Sequence, residues 1–184
     1  MVVLTIIVII SMVVITSQSS FNKTLILANT AYDIALSIRS AQTYGIASRA
    51  VGTTVNAGHG IRFQSNPSSS FIFFADTSPT ASCSQPNCKS GDHTYTNGSD
   101  SVVQTYTLGN VMTISKLCVD STCNLSSLDV VFERPNPNAF ISADGYYSVN
   151  NAKACITVTS PQGGEKYVSV SKSGQIIANA VSCP

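Results

Sequence analysis

The chain has 184 residues, of which 43% are hydrophobic and only 10% charged. That charged share is far below the usual ~25% of soluble domains, and Ser, Thr, Asn and Gly fill the difference. A net charge of +1 supplies no basic excess to hold phosphates, so nucleic acid is not the default partner. Trp is absent and His occurs only at His59 and His93, which leaves few groups for acid–base chemistry near neutral pH.

Residues 1–15 read MVVLTIIVIISMVVI, and no charge appears before Lys23. The run is apolar on every side, about 23 Å long as a helix against a bilayer core of ~30 Å. A signal peptide would need a basic start and a small-residue cleavage site, and neither is evident. A buried core helix would show a polar face. The pattern favours a membrane anchor carried by Val2, Val3, Leu4, Ile6, Ile7, Val8, Ile9, Ile10, Val13, Val14 and Ile15.

Helical spacing continues beyond the anchor. Leu27, Ala31, Ile34, Ile38, Ala41 and Gly45 step by four and three, forming one stripe suited to packing on a sheet. No Pro or Gly falls between Met1 and Tyr44, and Gly52 and the Gly58-His59-Gly60 run are read as the end of the helical region. The organisation expected is a membrane-spanning segment over 1–20, its amphipathic continuation over 21–52 and a β-sheet domain outside the cytoplasm over 53–184.

The hydrophobic period then becomes two. Strands are expected at Ile61–Gln64, Phe71–Ala75, Val102–Leu108, Val111–Cys118, Leu128–Glu133, Ala154–Ser160, Lys166–Lys172 and Gln175–Ala178. Lys172-Ser173-Gly174-Gln175 reads as a tight hairpin. Arg134-Pro135-Asn136-Pro137 must deflect its strand, because two prolines remove two ladder donors. The fold class expected is α+β, a long N-terminal membrane-spanning helix packed on an antiparallel sheet.

A helix of this kind entering such a sheet resembles type IV pilins and pseudopilins. Met1-Val2-Val3-Leu4-Thr5-Ile6-Ile7 looks like the segment that follows the Glu of that family's N-terminal signature. The resemblance implies a chain lacking its leader, cleavage site and Glu. Ile38-Arg39-Ser40-Ala41-Gln42-Thr43-Tyr44-Gly45-Ile46-Ala47 is similar to the helix end of minor pseudopilins of the H type (GspH/FimT-like). Val130–Pro137 and Val168–Ile176 look like prepilin-like proteins of the same group. The function implied is a structural minor pilin or pseudopilin of a bacterial type IV pilus or type II secretion filament. Its partners would be other pilin subunits, met through the N-terminal helix, and it would sit in the inner membrane as a single-pass protein before assembly. A DNA-binding minor pilin of a competence pilus is the alternative, although the tail Ala178–Pro184 is uncharged. A membrane-anchored exported enzyme is the third.

The six cysteines fall as Cys83-x4-Cys88, Cys118-x4-Cys123, Cys155 and Cys183. An even count beyond an anchor favours disulfides, and spacing favours 83–88, 118–123 and 155–183 among fifteen pairings. The competing reading is a zinc site of Cys83, Cys88, Cys118 and Cys123, or one that takes His93. His59 and His93 read as surface residues. Asp92, Asn97 and Asp100 form an oxygen-rich loop in which calcium is imaginable, but their spacing is not that of an EF-hand. Asn22-Lys23-Thr24, Asn97-Gly98-Ser99 and Asn124-Leu125-Ser126 match glycosylation triplets, which carry little meaning in a bacterial chain of the kind the resemblance implies. No nucleophile elbow, phosphate loop or His-Glu-x-x-His is present, so neither a catalytic residue nor a cofactor is assigned.

Overall fold

The structure is a computed structural model that describes residues 2–47, 57–65, 67–78 and 91–183, with the side chains of 13–22 left aside. Helix α1 runs over Val2–Ile46. No interior Gly or Pro interrupts it, and its hydroxyls are absorbed locally: Thr30 and Ser37 donate back to the Ile26 and Asp33 carbonyls. At its end, Gly45 lies where an added Cβ would meet the Phe132 carbonyl oxygen.

Among the described residues eleven strands follow: β1 (Gly58–Gln64), β2 (Ser70–Asp76), β3 (Ser101–Thr107), β4 (Thr113–Val119), β5 (Thr122–Cys123), β6 (Ser127–Phe132), β7 (Ala139–Ala143), β8 (Tyr146–Tyr147), β9 (Lys153–Thr159), β10 (Glu165–Ser171) and β11 (Ile176–Ala180). They form a six-stranded sheet ordered β3-β2-β1-β6-β7-β8 and a five-stranded sheet ordered β11-β10-β9-β4-β5. The paired strands run antiparallel, with β1 against β6 from His59↔Phe132 to Gln64↔Ser127 and β4 against β9 from Thr113↔Thr159 to Val119↔Ala154.

Two corrections to the expected class follow. Among the described residues, no helix is long and apolar enough to cross a membrane. The described apolar stretch Val2–Met12 is about 16 Å long, and α1 beyond it carries Lys23, Asp33 and Arg39. A single-pass inner-membrane anchor is therefore not supported. The strands also divide into two sheets rather than one, and α1 packs on β1 and β6 of the first and on β9, β10 and β11 of the second.

The core lies between helix and sheets. Leu27, Ala31, Ile34, Ala35, Ile38 and Ala41 of α1 meet Ile61, Phe63, Phe71 and Phe73 from one sheet and Ile114, Leu117, Ile156, Val158, Val168 and Val170 from the other. Gln42 ties the layers together at the helix end, its Nε2 donating to the Pro137 and Gly174 carbonyls, each at 3.0 Å. Gly174 closes the β10–β11 hairpin at φ 82°, a left-handed conformation natural to glycine.

The Gly58-His59-Gly60 run does not end the helical region but opens β1, and Gly52, named with it, lies outside the described residues. Glycine is needed at 60 because a Cβ there would crowd the Val130 carbonyl, the Val131 side chain and the Phe74 ring. His59 is buried, not at the surface. It packs edge-on to Tyr44, ring centroids 5.7 Å apart, and tilted on Phe73 at 6.0 Å.

Candidate functional site: an exposed helix and a clasped loop

Three features beyond the core could carry function. The first is the N-terminal part of α1. Val2, Val3, Leu4, Ile6, Ile7, Val8, Ile9, Ile10 and Met12 are 51–72% exposed. Val13, Val14 and Ile15, read with them from the sequence, fall among the side chains outside the description. The packing residues are distinct from these: Leu27, Ala31, Ile34, Ile38 and Ala41 are almost wholly buried, and Gly45 abuts β6. One helix thus carries a covered apolar stripe and an uncovered apolar segment in series. A soluble monomer rarely displays such a contiguous apolar surface without a partner for it.

The second feature is the loop of residues 91–100, held to the six-stranded sheet by three carboxylates. Asp76, at the end of β2, accepts the backbone amides of Asp92 at 3.2 Å and His93 at 2.8 Å. Asp129, within β6, accepts the Tyr95 amide at 3.3 Å and pairs with Arg62 Nη1 at 3.0 and 3.2 Å. Asp100 accepts the amides of Thr77 and Ser78 through Oδ1 and that of Thr96 through Oδ2. Asp76 and Asp129 are fully buried. Burial raises the Asp76 carboxyl to about 8, aided by Asp100 and Asp92 and opposed by the two amides. Burial also lifts Asp129 to about 6, against the Arg62 charge.

His93 belongs to the same structure. Its ring stacks on Phe140 with centroids 3.9 Å apart, lies 4.7 Å from Tyr147, and brings Nε2 to 3.6 Å from Glu133. It is thus packed rather than displayed. The calcium reading of Asp92, Asn97 and Asp100 meets a physical obstacle. Both Asp100 oxygens are spent on amides, and Asp92 Oδ1 accepts both the amide and the hydroxyl of Thr94. Among the described residues, no group of three His, Cys, Asp or Glu could hold a metal.

The third feature is the pair of disulfides, Cys118–Cys123 and Cys155–Cys183. The zinc reading loses Cys118 and Cys123 to a bridge across the β4–β5 hairpin, where they are register partners. Cys83 and Cys88 lie outside the described residues. Cys155 faces Cys118 across β4 and β9, so both bridges share one rung of the five-stranded sheet. Their neighbours Leu117, Val119, Ala154 and Ile156 belong to the core, which places the cysteines on the opposite face.

A groove of about 520 Å³ runs between α1 and β3, lined by Asn29, Asp33, Ser37, Phe71, Tyr106 and Leu108. Among the described residues Asp33 is the one carboxylate of its lining, and no nucleophile–base pair accompanies it there. Sequence reasoning did not single out Asp76, Asp129 or Gln42. The signal for the two aspartates was faint: a charged residue inside an apolar strand, as in Leu128-Asp129-Val130 and Phe74-Ala75-Asp76, must find hydrogen-bond partners if buried.

No family model, curated protein or solved structure matches this chain.

Proposed function

We propose that this protein is a structural subunit of a pilin-like filament, joined to other subunits through the N-terminal part of α1. The observation that carries this reading is the exposed apolar segment Val2–Met12, continuous with a helix firmly seated on a β domain. Association costs an estimated 4–15 kcal/mol in lost freedom. Fully burying one large aliphatic side chain returns about 1.5–3 kcal/mol. Half buried, two or three such side chains return only about 1.5–4.5 kcal/mol, whereas nine in series return about 7–14 kcal/mol, comparable with that cost. The segment contains no charge, so like segments pack side by side without repulsion. Kinship with minor pilins and pseudopilins rests on the three sequence patches described above, and the role assigned is structural rather than catalytic.

The test is self-association of the full chain by sedimentation velocity, with negative-stain imaging of the assembled fraction. Wild type should form elongated assemblies. Ile6→Asp combined with Ile9→Asp should return it to monomer while leaving thermal unfolding of the β domain unchanged. A wild-type chain that stays monomeric at its highest soluble concentration would reject the proposal.

A further inference from the structure

The tip of the clasped loop holds the one Asn-Gly dipeptide of the chain, Asn97-Gly98. We infer that it is a self-modifying site, at which Asn97 converts through a cyclic imide to aspartate and isoaspartate. The inference concerns the outer loop of the β domain and does not depend on how subunits associate.

The chemistry needs a backbone amide nitrogen able to reach the side-chain carbonyl of the preceding residue. Among the described residues the Gly98 nitrogen donates no hydrogen bond, whereas the next two amides, of Ser99 and Asp100, both donate to the Thr96 carbonyl. Gly98 has no Cβ to shield its nitrogen, and a Cβ built there would meet nothing within 4 Å. Asn97 is exposed, so water reaches the reacting atoms. Tyr95 Oη donates to Asn97 Oδ1 at 3.4 Å, on the oxygen that gains negative charge when the carbonyl is attacked.

The step balances with water as the only co-reactant. The Gly98 nitrogen gives up its proton and bonds to Cγ of Asn97, closing a five-membered ring. The bond from Cγ to the side-chain nitrogen breaks, and ammonia leaves with that proton. Water then adds to either ring carbonyl. Breaking the new bond from Cγ to the Gly98 nitrogen gives aspartate. Breaking the original peptide bond from the Asn97 backbone carbonyl gives isoaspartate, with the chain rerouted through the side chain. No electrons are exchanged.

The surroundings give the product a consequence. Asn97 shares a depression of about 430 Å³ with Arg62, Gln64, Ile72 and Tyr95. Conversion places a carboxylate in the same depression as the Arg62 guanidinium, which already serves Asp129. It also takes the formal net charge from +1 to zero. Isoaspartate adds a methylene to the main chain inside the turn that Ser99 and Asp100 close on Thr96. That turn aims Asp100 at Thr77 and Ser78, so the clasp loosens at its far end.

The experiment incubates the full chain in mildly alkaline buffer and maps its peptides by mass spectrometry, with isoaspartate detected by enzymatic methylation. Asn97 should lose ammonia about tenfold faster than any other asparagine, a barrier difference of ~1.4 kcal/mol. The product should contain both isomers. Asn97→Gln, which would have to close a larger ring, should keep its amide over the same period. An Asn97 that persists as long as the exposed Asn110 and Asn124 would overturn the inference. Aspartate without isoaspartate would overturn it too, since direct hydrolysis forms no imide.

Discussion

The loop clasp turns on single carboxyl groups, and Asp76 is the one whose titration is most displaced. Burial pushes it from 3.8 up to about 8. Between those values the folded protein holds a proton that the unfolded chain has released. Stability therefore falls as pH rises through that window. Asp129, raised to about 6, adds a loss of the same sign at its acid end. Asp76→Asn keeps an oxygen for the His93 amide and removes the titration. Its melting temperature should vary much less than wild type between about pH 5 and pH 8, by calorimetry in matched buffers. A variant as pH-sensitive as wild type would assign the dependence to other groups. Gly45 offers a second test at this scale. Alanine would gain about 1 kcal/mol of helix propensity, yet its Cβ would run into the Phe132 carbonyl. Gly45→Ala should therefore destabilise by roughly 1–3 kcal/mol, an overpacking cost that outweighs the propensity, read as a lower denaturant midpoint.

At the scale of elements, the packing stripe of α1 makes the sharpest demand. Ile38 is fully buried between the sheets. Ile38→Ala should cost about 2–5 kcal/mol through the cavity it leaves. Ile38→Asp should cost more, because the charge would be buried without a partner. An unchanged melting temperature in both would put the wrong face of α1 on the core. The stripe was readable because a period of 3.6 marks a helix face wherever one side is covered. Strand positions were readable for the same kind of reason: Phe71–Ala75 anticipates β2 at Ser70–Asp76, and Lys166–Lys172 anticipates β10 at Glu165–Ser171. β7 escaped notice because Ala139–Ala143 is short and follows two prolines closely. The division into two sheets escaped because periodicity gives a strand's face, never its neighbour. β1 pairs with β6 across more than sixty residues, and no local pattern announces that partner. His59 misled for a different reason. Flanking glycines suggest a loop, but here they make room for a strand pressed against Phe74 and Val131.

Across the whole molecule, the five-stranded sheet is closed by a chain end that folds back onto it. β11 ends at Ala180, yet Cys183 reaches Cys155 on β9, two strands inward in the five-stranded sheet. Cys155 is 1% exposed although it sits on the face away from the core, and its sulfur is bonded to Cys183 of the returning tail. Closing a loop of that length removes about 3–4 kcal/mol of unfolded-state entropy. A single Cys183→Ala change would leave the Cys155 thiol beside its register partner Cys118, where exchange with the 118–123 bridge would confuse the result. Cys155→Ala with Cys183→Ala avoids this. The double variant should lose about 2–4 kcal/mol in oxidising denaturant titration, and its last residues should become sensitive to protease while β9 and β10 stay protected. Reducing the wild type should reproduce the tail's sensitivity and add whatever the β4–β5 bridge contributes. A double variant as stable and as protease-resistant as wild type would mean that the β10–β11 ladder alone fixes the end of the chain, and that the bridge records proximity without holding it.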